Sequence, residues 1–194
     1  MQAQDIENYL SQLGQELVNL GVQQPLHVLL IGGAYMMLLA NAPRSTDDID
    51  IFWLEDEERL QQALYALRDG VHAVAEKNAL KPDWLNYLTQ LLMYDQIIIP
   101  KGKLWRRYGL LHIYVPPKSY ILALKILAGR KKDIDDCKLL LQQAKVRTRH
   151  QTQQLLDRYI LPNAQKENAQ QIEYSLDELF GKPETPLEES ENLR

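Results

Sequence analysis

The sequence predicts an α/β fold of the α+β type, a short mixed sheet flanked by helices with further helices at the C-terminal end. Three observations predict it. A compact apolar run with β-branched residues at 26–31 ends abruptly at Gly32-Gly33. A second such run at 49–54 opens on paired aspartates, Asp48 and Asp50. Before, between and after these runs, apolar residues recur at helical rather than strand spacing.

The elements follow in order. Ile6, Leu10, Leu13, Leu17 and Leu20 lie on one face of an amphipathic helix over 5–20, with Gly21 as its stop. Residues 26–31 make a buried strand. Residues 34–40, rich in Met, Leu and Ala, make a buried helix ended by Asn41-Ala42-Pro43. The Met36-Met37-Leu38-Leu39 stripe reads as core packing. A polar loop over 44–48 leads into the strand at 49–54. The helix expected at 55–69 carries acidic residues in its first turn, where the helix dipole favours them. Residues 71–94 read as mostly helical, interrupted near Lys81-Pro82, with Trp84, Leu85 and Leu88 turned inward. Strands are expected at 96–99 and 110–115, with a polar, basic stretch at 101–109 between them. Pro116-Pro117 opens a helix over 118–128, and further helices are expected at about 131–143, 149–161 and 168–180. The domain expectation is a core over 1–145, C-terminal helices over 146–180 packed on it, and a disordered acidic tail over 181–194, where two prolines and four glutamates leave little apolar material.

Bulk properties exclude several classes. The chain has 194 residues, 45% hydrophobic and 25% charged, with a formal net charge of −4. This is the balance of a globular domain without a basic sheath for non-specific nucleic-acid binding. The single cysteine, Cys137, makes no internal disulfide and no cysteine-rich zinc site, and its apolar neighbours read as those of a buried helix residue. His27, His72, His112 and His150 show no metal-ligand spacing. The start of the chain is acidic and polar, unlike a signal peptide, and no apolar run approaches the length of a membrane span. The cytoplasm is the expected location, with no membrane partner.

The chemistry concentrates in two stretches. At Gly32-Gly33, a strand runs through glycines into a helix. The missing β-carbons admit a ligand to the backbone, and the helix N-terminus favours an anion there, although a simple tight turn has the same look. Asp48 and Asp50 are one residue apart at a strand start, so both carboxylates point to one face. Two such carboxylates repel unless a cation lies between them, and Mg²⁺ accepts one or two protein carboxylates together with substrate phosphates. Aspartates at a polar strand entrance or a helix cap would give the same pair.

Taken together, strand, Gly32-Gly33, one helix and then Arg44-x-Thr46-x-Asp48-x-Asp50 leading into a strand resemble the core of the nucleotidyltransferase superfamily. More narrowly, they resemble the minimal bacterial branch that includes AbiEii-type toxins of abortive-infection and toxin–antitoxin systems. The resemblance implies that Gly32 and Gly33 hold a nucleoside triphosphate and that Asp48 and Asp50 bind Mg²⁺ as catalytic residues. Arg44 and Thr46 would order the loop or meet phosphate, and Asp47 would be a solvated neighbour on the other face. A second matching stretch, Ala123-Leu124-Lys125-Ile126-Leu127-Ala128-Gly129-Arg130-Lys131-Lys132-Asp133-Ile134-Asp135-Asp136, implies a site role for Lys125, which a pairing with a carboxylate would also explain. For Arg130 and Asp133, three apart, a local ion pair is the simpler reading.

One departure stands out. Active members generally place a third carboxylate on a later strand beside the aspartate pair. The expected strand, 110–115, has none, and His112 and Tyr114 share the face where an acid would sit. Asp95 is the alternative in a different register. AbiEii-like members lean on the lysine and a later aspartate, which directs attention to Lys125, Asp133 and Asp136. Two readings follow. One is a Mg²⁺-dependent enzyme moving a nucleoside monophosphate from a nucleoside triphosphate to an RNA or tRNA, protein or small-molecule acceptor, with an antitoxin as a further partner. The other is a catalytically silent module that binds nucleotide or a partner protein. Lys101, Lys103, Arg106 and Arg107, interleaved with Trp105 and Tyr108, would suit RNA or would form a solvated hairpin. Lys145, Arg147, Arg149 and His150 read as charge at a helix connection.

Overall fold

In the computed structural model, residues 1–182 are described, apart from the side chains of Glu57, Leu60 and Gln62. The chain runs α1 (Ala3–Asn19), β1 (Leu26–Leu30), α2 (Gly32–Leu39), β2 (Ile49–Trp53), α3 (Glu57–Asn78), β3 (Leu85–Asn86), α4 (Thr89–Met93), β4 (Lys103–Tyr108), β5 (Leu111–Val115), α5 (Lys118–Ala128), a 3₁₀ turn (Lys131–Asp133), α6 (Ile134–Ala144), α7 (Arg149–Tyr159), α8 (Pro162–Glu167) and α9 (Ala169–Phe180).

The sheet has five strands in the order β3-β2-β1-β5-β4. It is mixed, as the sequence predicts. β1 is antiparallel to β2 and parallel to β5, β2 is parallel to β3, and β4 is antiparallel to β5. The short β1 and β2 are buried along almost their whole length, which explains their continuous apolar runs. α1 packs on α3 and on the β4–β5 hairpin. Its buried stripe is Ile6, Leu10, Leu13 and Leu17, while Leu20 is exposed beyond the helix end.

Several sequence expectations are corrected. The helix expected at 55–69 and the first part of the mostly helical stretch expected at 71–94 are one helix, α3, running through Gly70. A β-carbon there would lie 3.0 Å from Leu13 Cδ1, so the glycine is a point of close approach between α3 and α1 rather than a break. Beyond Ala79 the chain turns, Trp84 N–H donates to the Lys81 carbonyl, and residues 85–86 extend as β3 where more helix was expected. Trp84 and Leu85 are buried, but Leu88 is exposed at the start of the short α4. The strand expected at 96–99 is only an isolated bridge, Ile97 to Ile160. The basic stretch 101–109 contains an edge strand, β4, turned into β5 at Gly109 (φ 54°). Lysine and arginine are tolerated on such an edge, where they discourage further pairing. The expectation for 181–194 falls almost wholly outside the described residues.

The C-terminal helices buttress α5, the helix that follows the last strand. α5 is buried through nearly every residue and packs against α6, α7 and α9. Ser175 Oγ donates to the Ile126 carbonyl, and Ile98 N–H and Leu161 N–H exchange bonds with the carbonyls of Tyr159 and Gln96. Among the described residues, no helix is long and apolar enough to cross a membrane.

The α1–β4 contact supplies a test of the packing. A β-carbon on Gly14 would overlap the carbonyl of Tyr108, and rigid backbone cannot yield as a side-chain tip can. Gly14→Ala is expected to destabilise the protein by about 1–3 kcal/mol by overpacking, read as a lower urea midpoint at unchanged slope.

Candidate functional site

A cleft of about 530 Å³ opens at the C-terminal end of β1, in the size range of small-molecule sites. β1 delivers the chain to Ile31, whose N–H donates to the Asp50 carbonyl at 3.0 Å. α2 then starts at Gly32 with no side-chain cap and no acidic residue in its first turn. Its first-turn N–H groups are therefore not claimed by a side-chain cap, and the helix dipole favours an anion at that end.

Both glycines are fixed by the acidic loop as well as by any ligand. Gly32 has φ 66°, and a β-carbon there would collide with Asp50 Oδ2. One on Gly33 would sit 2.6 Å from Thr46 Oγ1. Thr46, buried, donates through Oγ1 to the Asp48 carbonyl at 3.0 Å and to Asp48 Oδ1 at 3.3 Å. It therefore orders the loop that presents the first aspartate.

Asp48 and Asp50 both line the cleft, as do Gly32, Gly33, Arg44, Thr46 and Lys125. Arg130 and Asp133 from the second stretch line it too, whereas Asp136 lies behind the lining and Asp135 is exposed. Asp47 is exposed at the rim. Burial pushes the Asp50 carboxyl above the usual carboxylate range, and the nearby Asp48 charge pushes it further. Hydrogen bonds from Asn86 and Thr89, and the more distant charge of Arg130, only partly offset this. Such a pair suits a divalent cation, and the missing β-carbon at Gly32 lets Asp50 Oδ2 lie close against the turn that starts α2.

Across the cleft lies a cation array that sequence reading recognised only in part. Lys125, 6% exposed, donates from Nζ to Asp133 Oδ1 at 2.7 Å and lies 2.8 Å from Asp136 Oδ2. Asp133 also receives Arg130 Nε at 2.5 Å, the local pair expected from their spacing. Asp136 receives Arg44 Nη1 at 2.5 Å, an ion pair joining residues 92 apart in sequence. Two buried carboxylates thus hold three cations, two of which, Arg44 and Arg130, remain partly exposed at the cleft. Burial alone would raise the Asp133 carboxyl. The Lys125 hydrogen bond and charge, followed by those of Arg130, outweigh it and hold the group below the usual range. Cys137, beside this network, is buried, and burial pushes its thiol up to about 12.

Other expectations are corrected. The strand beside the aspartates is β3, not β5, and β5 lies beyond β1. His112 and Tyr114 therefore flank β1 rather than the acidic pair, where they stack edge-on with His27. Asp95 is exposed and does not line the cleft. The residue opposite Asp50 in register is Asn86, whose Nδ2 donates to Asp50 Oδ1 at 2.9 Å. Asn86 and Thr89 are the site residues that sequence reading missed. The basic residues of 101–108 do not line the cleft, and Arg149 is committed to Glu173 and Asp177.

A mixed sheet whose first strand runs through glycines into a helix, with an aspartate pair entering the antiparallel neighbour, defines a nucleotidyltransferase-superfamily domain. The family comparison agrees. A family model described as "Nucleotidyltransferase of unknown function (DUF6036)" matches residues 8–176, and the chain belongs to that family. No curated protein and no solved structure matched the chain.

The buried network makes a stability claim with a definite sign. Replacing Lys125 with Met removes the cation shared by two buried carboxylates and leaves each with one partly exposed arginine, at a cost of up to about 3–5 kcal/mol. Because Asp133 titrates below its ordinary 3.8 in the folded protein, its contribution is present above that pH and fades as pH falls through the lower, folded value. Lys125→Met should therefore differ most from the parent near neutral pH, with the gap narrowing below about pH 4 as Asp133 takes up a proton. Chemical denaturation at pH 7 and pH 3.5 checks this.

Proposed function

We propose that the protein is a Mg²⁺-dependent nucleotidyltransferase that moves a nucleoside monophosphate from a nucleoside triphosphate to an acceptor hydroxyl. The observation that carries the reading is the placement of Asp48, Asp50, the uncapped start of α2 and the Arg44–Lys125–Arg130 array around one cleft.

In this reading the triphosphate lies against the first-turn amides of α2, with Arg44 and Arg130 facing its charge. Asp48 and Asp50 would hold the metal, which would supply neutralisation of phosphate charge and polarisation of the phosphoryl group. Lys125 stays paired with Asp133 and Asp136 and fixes the array, a positioning part rather than the catalytic part that the sequence suggested. The acceptor oxygen forms a bond to the α-phosphorus while the bond from that phosphorus to the bridging oxygen breaks. Pyrophosphate leaves with the electron pair, and the hydroxyl proton is released to solvent at the cleft mouth. Enzymes of this kind work chiefly by positioning and charge stabilisation.

RNA or tRNA, a protein side chain or a small molecule would each supply the hydroxyl. A toxin–antitoxin or phage-defence setting, with an antitoxin as partner, rests on the resemblance to AbiEii-type proteins alone. One observation favours a second reading, a silent nucleotide- or partner-binding module: the residue facing Asp50 is an amide, Asn86, in place of a third acid.

The test is label transfer. The protein is incubated with Mg²⁺, each of the four radiolabelled nucleoside triphosphates, and total RNA plus its own chain as acceptors. Asp48→Asn and Asp50→Asn are expected to lower transfer by about 10³-fold or more, consistent with loss of transition-state charge stabilisation. Asp50→Asn should also leave the melting temperature unchanged or raised. A carboxyl whose folded pKa is raised destabilises the fold once pH exceeds its ordinary value, and the amide removes that burden. Intact folding and nucleotide binding with no transfer to any acceptor would instead establish the silent module.

A further inference from the structure

Asp50 uses its two oxygens for different purposes. Oδ1 accepts from Asn86 Nδ2 at 2.9 Å and from Thr89 Oγ1 at 3.3 Å. Oδ2 is the oxygen turned toward the Gly32 turn, where a β-carbon would collide with it. The orientation of Asn86 is set at both ends, because its Oδ1 accepts from Leu88 N–H at 3.3 Å while Nδ2 donates to Asp50. Flipping the amide would oppose oxygen to oxygen at one end and hydrogen to hydrogen at the other. A carboxylate at position 86 would likewise face Asp50 acid to acid, a contact tolerable only with a cation or proton between them.

Asn86 is therefore a neutral donor at the β3 position in register with Asp50. Among the described residues, no group of three or more His, Cys, Asp or Glu has the arrangement to hold a metal ion. The pair offers two carboxylates, and the groups that meet Asp50 from β3 and α4, Asn86 and Thr89, are neutral. The other wall is positive, with Arg44, Lys125 and Arg130 anchored by Asp133 and Asp136. Mg²⁺ loses water reluctantly and fills its octahedron readily from phosphate oxygens.

We infer that Asn86 is a positioning residue that makes this a two-carboxylate site unable to retain a divalent ion by itself, so that the metal enters together with the nucleoside triphosphate. The inference rests on the nucleotidyltransferase reading and deepens it. Asn86 holds Asp50 ready, with Oδ2 presented, in the absence of any ion. Phosphate oxygens complete the ligand set, and the cation array neutralises the charge they bring.

Equilibrium dialysis of the full chain against Mn²⁺ tests this, with and without an α,β-methylene analogue of each of the four nucleoside triphosphates. Wild-type protein is expected to retain Mn²⁺ weakly alone and roughly tenfold or more tightly with an analogue that fits, the scale on which neighbouring groups tune metal sites. Asn86→Asp is expected to retain Mn²⁺ alone at least about tenfold more tightly than wild type, and its melting temperature should rise with Mn²⁺ in the absence of nucleotide. Wild-type protein that binds Mn²⁺ alone as tightly as Asn86→Asp, or that gains nothing from any analogue, overturns the inference. If label transfer persists in that case, the enzyme reading stands and only the order of assembly is wrong. If neither protein retains Mn²⁺ under any condition, both readings fall. The comparison of wild type with and without analogue decides the matter even if Asn86→Asp does not fold.

Discussion

A lysine ammonium sealed from solvent is tolerated only where carboxylates surround it, and the cleft is organised around the pair that surrounds Lys125. Asp133 and Asp136 come from the turn and the first helical turn that follow α5, so the partners of Lys125 arrive within a dozen residues of it. Asp133 reaches outward to Arg130 through its other oxygen, while Asp136 shares Oδ2 between Lys125 and Arg44. The second contact matters most for the fold. It ties the loop before β2 to α6, and Gln143 Nε2 donates to the Ala40 carbonyl to tie the same two regions again. Breaking the central pair would leave uncompensated charge inside the protein and would release both arginines from their places.

The acidic wall obeys the opposite logic. Among the described residues no lysine or arginine forms an ion pair with Asp48 or Asp50, and burial makes the charge on Asp50 more expensive. The fold accepts this through local devices. Thr46 orders the loop beneath Asp48, Asn86 and Thr89 donate to Asp50, and two glycines let the α2 turn approach where any side chain would collide. Strain and unneutralised charge gathered at one place are the usual cost of a site built for something that binds later.

The legible parts of this arrangement were those with a short repeat or a punctuating residue. Alternation along a strand put Asp48 and Asp50 on one face, and Gly32-Gly33 marked the strand-to-helix turn, because both signals are local. Lys125, Arg130 and Asp133 were visible as a cluster for the same reason. The pairing of Arg44 with Asp136 was not, since it depends on how two distant segments close. Asn86 escaped because a two-residue strand has no periodicity to detect, and helical spacing around Trp84 suggested a different element. Gly70 misled in the other direction: punctuation by glycine and close packing at glycine look alike in sequence, and only the nearness of Leu13 separates them. The basic run 101–108 hid an edge strand because its cations broke the apolar alternation that identifies half-buried strands.

Placed together, the two walls explain why the register of one short strand matters to the chemistry. The cationic wall is permanent, because its charges are held by buried acids and do not wait for a ligand. The acidic wall is held open by neutral donors. An incoming triphosphate with its metal carries both signs, phosphate for the first wall and a divalent cation for the second. Each wall alone offers only part of a ligand set. On the proposed function, the cleft would favour a ligand that presents a cation and an anion in fixed relation over either ion separately, and β3, by placing an amide rather than an acid opposite Asp50, would keep that selectivity.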